Sequence, residues 1–144
     1  MGARRSGREA ALQMLFAMEA SGHDADHVIA AFWRNFDGDP EGRAYADTLV
    51  RGISESLTEI DPLVRGASTN WRLERMSRVD RNLLRLGAFE LTKRPDVPRA
   101  VVLDEAVEMA KSFGSDESSV FVNGVLARIA DDLGRDNADK SAGG

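Results

Sequence analysis

The stretch Glu105–Leu126, EAVEMAKSFGSDESSVFVNGVL, decides the fold, because it spells two helices with a stop and a start between them. Val102, Ala106, Met109, Ala110 and Phe113 recur at helical spacing and give the first helix one apolar face. Gly114 is the expected terminator, since a left-handed position after a helix costs glycine nothing. Ser115 or Asp116 is then the expected cap of the next helix. That helix carries Val122, Val125, Leu126, Ile129 and Leu133 in one stripe. Phe121 lies about 100° from the stripe's centre on a 3.6-residue wheel, where it either completes the core or is offered to a partner.

Upstream, the same grammar predicts five more helices. The first spans about Ser6 to Glu19 and buries Leu12, Leu15 and Phe16. The second starts near Asp24 and buries Val28, Ile29, Phe32 and Phe36. Asp39-Pro40-Glu41 supplies a cap, a first-turn proline and a dipole-favourable acid for the third, which buries Tyr45 or Ala46, Leu49, Ile53 and Leu57. Asp61-Pro62 repeats the device for a short fourth helix with Leu63, Val64 and Ala67. Ser77-x-x-Asp80 reads as a capping box with aspartate in place of glutamate and opens the fifth, which ends before Pro95. Pro98 precedes the sixth helix. Strand signals are nearly absent, so the fold class is all-α, a seven-helix bundle.

A chain of 144 residues with 42% hydrophobic residues has single-domain length and can build a core without staples. It has no cysteine, which excludes disulfides and thiolate chemistry. No run approaches the ~20 apolar residues of a membrane span, and no apolar segment follows the N-terminal arginines, so no membrane association and a cytoplasmic setting are the default expectations. The polar segment 134–144 reads as a disordered tail after a helical domain over 1–133.

The net charge of −5 speaks against nucleic acid until its distribution is read. Residues 21–64 carry 3 basic and 9 acidic side chains, and residues 95–144 carry 5 and 10. Residues 65–94 carry 8 basic and 3 acidic ones, and all three arginines of residues 1–20 fall within the first eight. Local field attracts phosphate, whatever the total.

Arg4, Arg5 and Arg8 oppose the dipole of the helix they begin, so they do nothing for that helix and favour an anionic partner. Arg78, Arg81 and Arg85 share one face of the fifth helix, where three like charges repel unless a polyanion collects them. His23 and His27 have helical metal-ligand spacing but no third ligand, and Asp104, Glu105 and Glu108 lack a nucleophile or metal set. Trp33 and Trp71 read as core or half-buried aromatics. No catalytic constellation, cofactor motif or metal site emerges.

The pair EAVEMAKSFG and SSVFVNGVL resembles the C-terminal signature of the NusB family of transcription antitermination factors. Arg5 with Arg8-Glu9-Ala10-Ala11-Leu12, then Leu49-Val50-Arg51-Gly52, then Val79-Asp80-Arg81-Asn82-Leu83-Leu84-Arg85-Leu86 are similar to further family segments in the same order. The resemblance runs from about Arg4 to Leu133. It implies seven helices in two bundle-like halves, and no enzymatic reaction. It implies that the N-terminal arginines take part in binding boxA RNA of ribosomal RNA leader transcripts. It also implies that Asp80, Glu117 and Phe121 meet the ribosomal protein NusE, within the elongating RNA polymerase complex. Some relatives pair with themselves through part of the RNA-binding face, which leaves a homodimer open. A module related to ribosomal RNA methyltransferases and a structural helical oligomer are the rival expectations.

Overall fold

The computed structural model describes residues 2–135, and these form seven α-helices and one short 3₁₀ turn, with no strand among them. The chain divides into two compact units, Met1–Ser56 and Leu57–Gly144. No helix among the described residues is long and apolar enough to cross a membrane.

The first unit holds α1 (Ala3–Ser21), α2 (Ala25–Asn35) and α3 (Pro40–Glu55). Asp24 caps α2 by accepting from the His27 N–H at 2.9 Å, and Asp39 caps α3 by accepting from the Gly42 N–H at 2.8 Å. Gly22, at φ 78°, closes α1 in the left-handed conformation. Leu12, Leu15, Val28, Ile29, Leu49 and Ile53 are buried as the periodicity predicts, and so are both Tyr45 and Ala46.

Three expectations fail here. α1 begins at Ala3, so Arg4 and Arg5 belong to its first turn. Phe16 and Phe36, expected inside, are 41% and 55% exposed, and Phe32, expected with them, is half-buried. Leu57 opens the following helix and is only half-buried. Apolar spacing marks a face, but the outer edge of a face stays in water where no neighbour covers it.

The second unit holds α4 (Leu57–Ala67), the 3₁₀ turn (Leu73–Arg75), α5 (Arg78–Lys93), α6 (Arg99–Phe113) and α7 (Ser118–Asp132). α5 lies against α4, α6 and α7, and Leu83, Leu84, Leu86, Val102, Ala106, Met109, Val122, Val125, Leu126 and Ile129 are buried. Asp61-Pro62 does not begin α4. The helix starts at Leu57 and accommodates Pro62 inside, and Asp61 is engaged with Arg85 (below) instead of capping.

Gly114 corrects the reading of the α6–α7 joint. Its backbone is extended (φ −107°, ψ −164°), not left-handed. Glycine is required for space: a Cβ there would lie 2.6 Å from Ser118 Oγ and 2.9 Å from the Ala110 carbonyl. Neither Ser115 nor Asp116 caps α7. The bond runs the other way, with the Ser115 N–H donating to Ser118 Oγ at 3.0 Å. Phe113 and Leu133, expected in the core stripes, are 38% and 37% exposed at helix ends. Of the tail expected over 134–144, residues 136–144 lie outside the described residues. Arg135 is described and held: it donates to the Leu91 and Val97 carbonyls at 2.7 and 2.6 Å and accepts from Arg99 at 2.6 Å.

Candidate nucleic-acid and partner surfaces

In the first unit, α1 crosses the start of α3 at Gly7, where a Cβ would sit 2.9 Å from the Gly42 carbonyl and 3.1 Å from Tyr45 Cβ. The interruption of the arginine cluster at Gly7 is therefore structural. The close crossing brings Tyr45 beneath the arginines: the Arg4 and Arg8 guanidinium carbons lie 5.0 and 5.5 Å from its ring centroid. Both distances suit cation–π attraction. Arg4 and Arg5 are exposed, whereas Arg8 is only 2% exposed and belongs to the interior of the fold.

In the second unit, the three arginines of α5 have separate tasks. Arg81 Nη1 donates to the Leu73 and Met76 carbonyls at 3.1 and 2.8 Å, fastening the 3₁₀ turn to the start of α5. Arg85 grips Asp61 bidentately at 2.9 and 3.0 Å, with both side chains about 15% exposed, and ties α5 to α4. Arg78 is exposed at the first position of the helix. The like-charge repulsion that pointed to a polyanion is thus answered within the fold at Arg81 and Arg85.

The same turn of α5 borders a concavity of about 680 Å³, lined by residues of the segments 71–80 and 115–121. Asp80, distant in sequence from Glu117 and Phe121, meets them there. Ser77 Oγ accepts from the Asp80 N–H at 3.1 Å, so the forward half of the capping box forms. The reverse half does not. Aspartate is one methylene shorter than the glutamate of a full capping box, and Asp80 Oδ1 is left buried without a hydrogen-bond partner. A buried acceptor without a donor is costly until one arrives. Asp116, Glu117 and Asp80 outnumber Arg75 around the cavity, so it favours a cationic or N–H-bearing guest.

Trp71, expected to be core or half-buried, is 60% exposed and meets Phe121 edge to face at 6.2 Å between ring centroids. Phe121 is half-buried and Val120 is 77% exposed. The sequence reading missed Trp71 and Val120, because neither falls on a helical stripe that a periodicity could flag. Nearby, hydrogen bonding to its own backbone and then to Arg65 holds the Glu74 carboxyl below the usual carboxylate range.

His23 and His27 stack with ring centroids 3.9 Å apart, and among the described residues no group of three or more His, Cys, Asp or Glu could hold a metal. Trp33 is half-buried as expected, its indole N–H donating to Asp47 at 2.8 Å.

Helix order and surfaces together define an all-α protein with arginines in the first turns of α1 and α5 and an acidic, aromatic concavity in the second unit. A model of the NusB family matches residues 5–131, and the chain belongs to that family. It is 67% identical to the transcription antitermination protein NusB of Sorangium cellulosum, over 97% of this chain and the whole of that one. It is 49% identical to that of Myxococcus xanthus, over 90% and 96%. Among solved structures, NusB of T. maritima superposes with a TM-score of 0.83 at 35% identity, covering 98% of each chain. A chain from a crystal structure of the antitermination factors NusB and NusE in complex with double-stranded RNA gives 0.79 at 26% identity, covering 92% of this chain and 98% of that one.

Proposed function

We propose that this chain acts in transcription antitermination as an assembly factor, binding boxA RNA of ribosomal RNA leader transcripts together with NusE. The observation that carries the reading is the concavity of the second unit, where Asp80, Glu117 and Phe121 come together with an orphaned carboxylate oxygen at its wall. A protein segment bearing an apolar plug and a cationic or N–H donor satisfies both the rings and the oxygen. Likeness to a chain solved with NusE and RNA supports the same assignment.

On the RNA side, Arg4, Arg5 and Arg78 are the exposed phosphate contacts. Arg8 in the first unit, and Arg81 and Arg85 in the second, act from within by holding the helices that carry these side chains. The factor performs no reaction and joins the elongating polymerase in the cytoplasm through these contacts. The test is RNA binding by the full chain with and without NusE. NusE is expected to raise affinity for boxA RNA, and to raise it less for a scrambled sequence. Absence of NusE binding by the parent chain would sink the reading. Binding of S-adenosylmethionine would instead favour a relation to methyltransferase modules.

A further inference from the structure

The first unit carries a second aromatic cluster that the surfaces above do not use. Phe36 leaves α2 with extended backbone (φ −132°, ψ 147°), yet its ring stacks on Phe32 at 4.6 Å and 27° between planes. With 55% of Phe36 exposed, the outer part of that stack is open to solvent. Phe32 meets Trp33 edge to face at 4.8 Å, and the Arg43 guanidinium lies 5.0 Å from the Trp33 ring centroid. Trp33 cannot shift easily. Asp47 holds its N–H at 2.8 Å, and the Gly38 backbone approaches so closely that a Cβ would meet the ring at 2.9 Å.

These rings border a groove of about 250 Å³ whose other wall is Ser6, Glu9 and Gln13 of α1. Ser6 directly follows Arg4-Arg5, so the groove continues the basic first turn within one helical turn, about 5 Å along the axis. We propose that this groove is a base-binding subsite for single-stranded RNA: a nucleobase stacks on Phe36 while its flanking phosphates lie at Arg43 and at the first turn of α1. The proposal rests on the RNA-binding reading above and extends it to a site that determines sequence preference.

The chemistry of the rim selects the base over the phosphate. Glu9 and Asp37 are hydrogen-bond acceptors only, and their charge repels a phosphate placed inside. The same acceptors, with Gln13, suit the exocyclic amino groups of adenine, cytosine and guanine, which uracil lacks. A stacked base needs an aromatic face and tolerates a polar rim. A hydrophobic peptide anchor, in contrast, needs a dry pocket, and this rim is largely polar.

The experiment uses the full chain, Phe36→Ser and Phe36→Trp, with labelled single-stranded RNAs: boxA alone, boxA extended on either side, and the extended RNA with its flanks changed to uridine. Phe36 is more than half exposed, so both variants fold. In RNA titrations without NusE, Trp33 fluorescence, isolated by Trp71→Phe, reports occupancy of the groove. Phe36→Ser is expected to lose about tenfold in affinity for the extended RNA, the scale of one stacked base, together with the Trp33 response. Phe36→Trp, whose added indole rules out the Trp33 readout, is expected to retain the affinity, and the uridine flanks to lower parental affinity similarly. Equal affinities of parent and Phe36→Ser for every RNA, with Trp33 silent, overturn the subsite while the RNA reading stands. Loss of NusE binding by Phe36→Ser with RNA binding intact makes the groove a protein surface and also overturns it. If the parent binds none of the RNAs, the underlying reading fails with it.

Discussion

Single side chains in the concavity can be asked whether they serve the fold or the guest. Phe121 is half-buried and rests against an exposed Trp71, so Phe121→Ala should cost less stability than the ~3–5 kcal/mol of a fully buried phenylalanine. Its effect on NusE binding should reach ~2 kcal/mol, as for a hot-spot aromatic. Denaturant titration beside calorimetric binding separates the two. Asp80→Asn keeps an acceptor at a helix start and removes the charge, so stability should change by under ~1 kcal/mol while NusE affinity falls and loses salt dependence. Unaltered affinity would leave Asp80 no role beyond its place in the first turn. Arg85 is the opposite case. Its bidentate pair with Asp61 is largely shielded, and Arg85→Ala should cost about 3 kcal/mol in urea unfolding by stranding the carboxylate. Any loss of RNA binding in that variant must then be measured on its folded fraction.

Helices were legible where apolar spacing and capping chemistry agreed. Asp24, Asp39 and Ser77 cap as their sequence positions announce, and all seven helices are present among the described residues. The errors cluster where a residue has two uses. Asp61 looks like a cap and is an ion-pair partner; Gly114 looks like a left-handed terminator and is a space-maker for Ser118. Arg81 and Arg85 look like solvent-facing charges, because sequence spacing shows which face a residue occupies and not which carbonyl or carboxylate waits opposite. Phe36 and Trp71 were misplaced since exposure depends on neighbours distant in sequence. A further close approach, equally invisible in one dimension, lies between α5 and α7. A Cβ at Gly87 would fall 2.6 Å from a Leu126 methyl. Gly87→Ala should therefore destabilise by about 1–3 kcal/mol in spite of its better helix propensity. Leu126→Val in the same chain should recover part of that loss, a coupling that a double-mutant cycle reads directly.

For the chain as a whole, a net charge of −5 means that the proposed RNA binding works against the average field and falls to a few local cations. Each phosphate contact on single-stranded RNA contributes a salt slope of roughly −0.7. Replacing Arg4 and Arg5 by alanine should flatten the slope by up to ~1.4 while costing no more than about 1 kcal/mol in unfolding, the scale of the exposed Arg4–Tyr45 contact. Identical slopes for the variant and the parent would remove the first turn of α1 from the RNA contact.

Arg135 has a consequence for how the second unit opens. One guanidinium satisfies carbonyls at the end of α5 and in the turn before α6, and its own carbonyl holds Arg99, which also reaches Asp131 in the last turn of α7. Three helix ends therefore share one clasp, and none can fray without releasing the others. Slow amide exchange at these ends should report a common opening event with a single protection factor. Arg135→Ala should split it into separate, faster events, turning one cooperative boundary into three independent ones.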